Sequence, residues 1–328
     1  MKRIFSNNKY KLFGIVILVI AIFLYKSADL IIMAKNSTEK KYDVYTKQVS
    51  EIPVLKSKFN LQSEDATKSA ILDFDINHLS SKSVYIEDVD TATQLFEKNG
   101  ERVLLPASTT KIMTALVARQ EYKLDDALII PDITKIDGFS VGLFKGEKMR
   151  VDQLLKAMLI QSSNDAAYAL ALNHPGGLDG FVKLMNQKAT DFNLKSTYFE
   201  NPAGFDNDSQ RSSAHDLAII SKEFMKDDFL RLVVGAKKDV ITDESGIYKH
   251  YLYNTHELLG IDQSVVGIKT GTTEGAHQVL ITQFNREGRN ILIIVMGSDD
   301  RYEETSQLID WVFDEFIWLT PEQIIEKS

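Results

Sequence analysis

The chain has 328 residues, 44% of them hydrophobic and 26% charged, enough for one large domain or two modest ones with a sizeable core. A net charge of −8 argues against nucleic acid as the partner. The absence of cysteine excludes disulfides, thiol nucleophiles and cysteine-based metal sites.

At the N-terminus Lys2, Arg3, Lys9 and Lys11 precede any acidic residue and lead into an apolar run from Leu12 to Tyr25. That run matches a signal-peptide core and falls short of the ~20 residues of a membrane span. Lys26 and Asp29 interrupt a second apolar patch, Leu30 to Ala34, and snorkelling by Lys26 would extend a span over residues 12–34. No small-x-small cleavage site is visible. The reading is a membrane anchor or a signal sequence over 12–34, behind a basic cytoplasmic flank at 1–11, with the rest of the chain exported. A buried helix of a soluble domain is the remaining option. Residues 35–69 are polar and without sustained periodicity, as in a linker or stalk. Residues 70–319 read as the folded domain and 320–328 as a tail.

Within the domain, Ile71 to Leu79 begins the fold and Ser83 to Val89 alternates as a strand. Asp90-Thr91 turns the chain into a returning strand, Gln94 to Glu97, closed by Asn99-Gly100. Pro106-Ala107-Ser108-Thr109-Thr110-Lys111 then opens a helix with almost no polar face, running to about Arg119. Turn-rich pieces around Pro131 and Gly138 to Gly146 follow. A helical pattern from Val151 breaks at Gln161-Ser162-Ser163-Asn164 and resumes from Asp165 to Leu172. Further helices cover about 178–192 and 214–225. Ser264 to Thr273, His277 to Phe284 and Ile291 to Ser298 read as an antiparallel meander. A last helix from Glu303 to Leu319 carries Leu308, Trp311, Val312, Phe316 and Leu319 at helical spacing, as for packing on a sheet. No internal repeat is present. Helices inserted between two strand-rich ends imply a mixed α/β fold: an antiparallel sheet flanked by helices, an all-helical lobe, and an active site in the cleft between them.

Three short motifs carry chemistry. Ser108 and Lys111 lie three residues apart on one helical face, and an amine held in apolar surroundings loses its proton and can activate a serine. The pattern alone is cheap, since Ser6-Asn7-Asn8-Lys9 repeats it in the basic flank. Ser162-Ser163-Asn164 interrupts an apolar helix, as a turn or cap does, or as a proton relay at Ser162 with Asn164 holding both Lys111 and a substrate amide. Lys269-Thr270-Gly271-Thr272 ends a strand, flanked by Gly267 and Gly271. Glycine inside a strand marks close approach of another backbone or a ligand, and the lysine and hydroxyls suit a substrate carboxylate. The alternative for Lys269 is an edge-strand charge that blocks aggregation.

Ser-x-x-Lys, Ser-x-Asn and Lys-Thr-Gly in this order, 54 and 107 residues apart, resemble the signatures of penicillin-binding proteins and active-site-serine β-lactamases. The spacing is similar to that of the low-molecular-mass D-alanyl-D-alanine carboxypeptidases. Asn164-Asp165-Ala166-Ala167, Asn201-Pro202 with Gly204, and Asp216-Leu217-Ala218 extend the likeness across roughly residues 70–318. The resemblance implies a β-lactamase/transpeptidase-like fold and a serine peptidase without cofactor or metal. Its substrate would be the stem peptide of peptidoglycan and its covalent inhibitors β-lactams. It implies Ser108 as nucleophile, Lys111 as base, Ser162 as proton relay, and Asn164, Lys269, Thr270, Gly271 and Thr272 as substrate-binding residues. The oxyanion hole would be the N–H groups of Ser108 and Thr272. Ser163 stands where the family more often has Gly or Ala, and Ala203 and Phe205 replace the usual His and Leu, which touches substrate preference more than chemistry. A β-lactamase, a non-catalytic penicillin-binding sensor and a transpeptidase are the competing readings. Six histidines without a His-Glu-x-x-His pattern speak against a metallopeptidase. The resemblance together with the N-terminal reading implies a bacterial cell-membrane location with an extracytoplasmic domain.

Overall fold

The computed structural model describes residues 76–318. The N-terminal flank, the 12–34 segment, the linker, the first residues expected to begin the fold and the C-terminal tail lie outside the described residues. The described residues up to Glu315 belong to one compact unit.

In chain order the strands are β1 (Ser83–Asp88), β2 (Thr93–Lys98), β3 (Ala127–Ile129), β4 (Lys148–Arg150), β5 (Lys238–Thr242), β6 (Lys249–Tyr253), β7 (Val265–Thr273), β8 (His277–Arg286) and β9 (Arg289–Ser298). The helices are α1 (Lys111–Glu121), α2 (Val151–Ile160), α3 (Asn164–Leu172), α4 (Gly177–Asp191), α5 (Ala214–Met225), α6 (Asp228–Val234), α7 (Leu258–Ile261) and α8 (Arg301–Glu315). Five strands form an antiparallel sheet in the order β2-β1-β9-β8-β7. The first hairpin therefore docks on the last strand, and the helical lobe is inserted between β2 and β7, as the strand-rich ends imply.

The central strand β9 reads Ile291-Leu292-Ile293-Ile294-Val295-Met296 and is buried throughout, because both faces are covered. Leu292, Ile294 and Met296 join the large apolar cluster that includes Leu217 and Ile220 of α5. Alternation sends Ile291, Ile293 and Val295 to the other face, where α8 packs with Leu308, Ile309 and Val312 buried. This helix stops at Glu315, short of the expected Leu319. A pair of charge contacts, Lys222 to both oxygens of buried Glu87 at 2.7 and 2.9 Å, ties α5 to β1.

In the lobe, α1 is buried on nearly all sides, from Lys111 through Ala118, and packs against α2, α3, α4 and α5. A helix apolar all round belongs in a core, as its sequence indicates. Two hairpins went unanticipated. One is β3–β4, only three residues a strand. The other is β5–β6, whose inner face buries Ile241 and Leu252 while its outer face stays in solvent. Among the described residues no helix is long and apolar enough to cross a membrane.

Candidate active site

Ser108 does not sit in the α-helix itself but in the 3-10 turn Ala107–Thr110 that feeds α1. Ala107 enters this turn with φ 49°, a left-handed conformation that costs an L-residue about 1 kcal/mol. The turn is held by Thr109, whose hydroxyl donates to Pro106 O at 2.6 Å, and by Gln210, which donates to Thr110 at 2.9 Å. Two glycines let neighbouring chain segments press against it. A Cβ on Gly204 (φ +89°) would lie 1.8 Å from Ala107 O, and one on Gly271 would lie 3.0 Å from Ser108 N. Gly271 thus brings β7 against the serine backbone, the close approach its place in the strand suggests. Gly267 does the same against Val234, where a Cβ would meet the carbonyl at 2.9 Å.

Lys111 follows as the first residue of α1 and is fully buried. Its Nζ lies 2.8 Å from Ser108 Oγ and 2.6 Å from Ala203 O. Burial first, and then the charge of Lys269, push its amine well below the ordinary lysine value. A neutral amine has two N–H bonds and one lone pair. With Ala203 O taking one hydrogen, the lone pair can turn to the serine hydroxyl. The Asn201 side chain builds the loop that supplies this carbonyl, its Oδ1 accepting from the N–H groups of Ala203, Gly204 and Phe205.

Ser162 sits at the break between α2 and α3 in a left-handed conformation, φ 61°, while Ser163 caps α3. Lys269 of β7 is 1% exposed and donates to Ser162 Oγ at 2.8 Å and to Thr270 O at 3.0 Å. Burial, and then Arg301, bring its pKa down to about 7. His256 is held neutral, its pKa lowered to about 3 by burial and then by Lys269 and Arg301. Thr270 shares a hydroxyl contact with Thr255 at 2.7 Å, and Thr272 is exposed at the end of β7.

The structure therefore brings Ser108, Lys111, Ser162, Lys269, Thr270, Gly271 and Thr272 to one place. Asn164 opens α3 beside them, but its amide is used differently from the expectation. Its Nδ2 donates to Asp137 O at 2.8 Å, and Lys111 is held by Ala203 O instead. Asp165, next to it, clamps the 138–143 loop by accepting from Gly142 N at 3.1 Å and Leu143 N at 3.0 Å. Sequence reasoning missed Arg301. Its Nη1 donates to Gly271 O at 2.8 Å and Thr272 Oγ1 at 2.6 Å, which places a permanent cation at the end of β7. A cation in the first turn of a helix opposes the helix dipole, and that anomaly was a usable signal. Among the described residues no group of three or more His, Asp or Glu is placed to hold a metal ion.

Comparison with known proteins matches residues 65–300 to the D-alanyl-D-alanine carboxypeptidase family model. The chain is 32% identical over 245 residues to D-alanyl-D-alanine carboxypeptidase DacF of Bacillus subtilis, covering 72% of this chain and 63% of that protein. It is 30% identical over 267 residues to DacC of Escherichia coli, covering 74% and 64%. The match thus spans a little under two thirds of these relatives. The crystal structure of the Streptomyces K15 DD-transpeptidase superimposes with a TM-score of 0.68 at 27% identity, covering 72% of this chain and 98% of that one.

Proposed function

The chain belongs to the D-alanyl-D-alanine carboxypeptidase family, and we propose that it removes the terminal D-alanine from peptidoglycan stem pentapeptides through an acyl-enzyme on Ser108. The observation that carries this reading is the 2.8 Å contact between Ser108 Oγ and a buried Lys111 amine whose pKa is depressed.

Lys111 takes the hydroxyl proton as Ser108 Oγ attacks the carbonyl between the two D-alanines. The negative oxygen of the tetrahedral intermediate faces the N–H groups of Ser108 and Thr272, where one donor is typically worth ~3 kcal/mol of barrier. Ser162, joined to Lys269, relays the proton held by Lys111 to the departing amine as the C–N bond breaks, so that both Lys111 and Ser162 return to their neutral forms. Water then adds to the ester and returns Ser108 to its hydroxyl form. Lys269 is committed to Ser162 and Thr270 O, so the terminal carboxylate falls to Arg301, Thr270 and Thr272. Gly271 keeps β7 close enough for this, and Asn164 borders the peptide. β-Lactams would acylate Ser108 in the same way and leave slowly. Anchoring by residues 12–34 would place the domain outside the bacterial membrane, a reading supported by the basic flank and the apolar run.

Mass spectrometry of the intact chain with penicillin, followed over time beside D-alanine release from a pentapeptide, tests the proposal. The expected result is one stoichiometric adduct on Ser108 and turnover of the peptide. Adduct on another residue, or acylation without peptide turnover, refutes it.

A further inference from the structure

The outward face of the β5–β6 hairpin has no partner among the described residues, and its composition is unusual for a solvent face. Three cross-strand rungs lie side by side: Lys238 with Tyr253, Val240 with Tyr251, and Thr242 with Lys249. Tyr251 is 62% and Tyr253 64% exposed. Successive rungs on one face of a strand are about 7 Å apart, so the two rings form a flat strip on the scale of consecutive pyranose rings. Of the acidic groups of the hairpin, Asp239 pairs with Lys156 at 2.9 Å and Glu244 with Lys148 at 2.6 Å, while Asp243 is buried in the turn and accepts from the N–H groups of Ser245 and Tyr248. Lys238 and Lys249 are left to bracket the aromatic pair with positive charge.

The strand that carries this strip leads toward the site. The Tyr253 N–H donates to Gln161 Oε1 at 3.3 Å, directly beside Ser162, and two residues later Thr255 meets Thr270. Standard bond lengths put the Tyr253 and Ser162 Cα atoms no more than about 14 Å apart, while five extended residues span up to ~17 Å. A saccharide chain at Tyr253 is thus within the tether of a peptide whose end lies by Ser162.

We propose that the outer face of β5–β6 is a platform for the glycan strand that bears the substrate peptide, an assignment that rests on the reading of the cleft as a peptidoglycan peptidase. Tyr251 and Tyr253 stack on the C–H faces of the sugar rings and offer hydroxyls to their polar edges, and Lys238 and Lys249 face the carboxylates of the peptides that the strand carries. The three rungs carry one aliphatic side chain, Val240, and two rings with polar tips, and the turn adds only Ile247 and Tyr248 as exposed apolar groups. A lipid surface calls for a larger apolar face.

The test uses the full chain with Tyr251→Ala and Tyr253→Ala together. D-alanine release is measured from a free pentapeptide and from polymeric peptidoglycan. Co-sedimentation with insoluble peptidoglycan and with phosphatidylglycerol vesicles is measured in chains that also carry Ser108→Ala. The expected result is unchanged turnover of the free peptide, about tenfold lower kcat/KM on the polymer, equivalent to ~1.4 kcal/mol, and a parallel loss of sedimentation with peptidoglycan. The Tyr→Phe pair retains most of both. Equal effects on the two substrates, or none on either, overturn the platform. Loss of vesicle binding with peptidoglycan binding intact assigns the face to a lipid surface and also overturns it. Should the unaltered chain release no D-alanine from either substrate, the peptidase reading fails, yet loss of peptidoglycan sedimentation on removing the tyrosines still supports the platform.

Discussion

Replacing Lys269 by Met should make the protein more stable at neutral pH and less stable in alkali. The amine ionises at 10.5 in an ordinary setting and at about 7 in the fold, because burial and then Arg301 disfavour its charge. Between those values the unfolded chain binds the extra proton, so stability rises with pH by ~1.4 kcal/mol per unit. The cost of Lys269 is then about 4 kcal/mol at pH 7.5 and about 1 kcal/mol at pH 9.5. Against this, Met forfeits the contacts to Ser162 Oγ and Thr270 O, worth about 2 kcal/mol together. The variant should therefore gain about 2 kcal/mol at pH 7.5 and lose about 1 kcal/mol at pH 9.5. Urea unfolding of both chains at the two pH values, with unchanged m-values, reads the difference. A variant several kcal/mol less stable at both pH values would show that Lys269 enters the fold charged, and the reasoning would fall.

Four other changes bear on the site. Ser108→Ala should abolish covalent labelling by a fluorescent penicillin with the melting temperature kept, and labelling that persists would move the nucleophile elsewhere. Lys111→Ala should slow acylation by two or more orders of magnitude, the usual scale for a positioned base, as measured by stopped-flow labelling. Gly204→Ala puts a methyl 1.8 Å from Ala107 O at φ +89°, so a loss of about 3 kcal/mol in denaturant and a collapse of acylation are expected. Native acylation in that variant would mean the turn bearing Ser108 is not braced there. Asp165→Asn should free the 138–143 loop, seen as faster amide exchange at Gly142 and Leu143, whose N–H groups the carboxylate holds.

Much of this was legible because it rests on periodicity and spacing. The apolar ring of α1, the break after Ile160 and the three strands of the meander each leave a local signature. The three motifs needed only their order. What escaped has physical causes. The carbonyl that orients Lys111 belongs to Ala203, and a backbone oxygen leaves no trace in residue type. Arg301 lies 32 residues beyond Lys269 and reaches the site because α8 starts where β9 ends, a tertiary fact. The β5–β6 strands are short, with tyrosines turned to water where a core-facing pattern is the usual cue. Asn164 opens α3, and its amide faces Asp137 O, a partner set by the loop's path.

The pairing of β1 with β9 also governs when the protein can become whole. Ser83 lies opposite Met296, so the sheet cannot close until almost the entire described chain has been made. The hairpin β1–β2 emerges early with one edge open, while the lobe from α1 to α6 is contiguous in sequence. Folding should therefore proceed lobe first, with the sheet as a slow, late step that pays the closure entropy of a loop of some two hundred residues. Since Lys269 and Arg301 both come after that lobe, a chain interrupted before β7 would present Ser108 and Lys111 without the strand that receives a substrate. Activity would begin only when the sheet shuts.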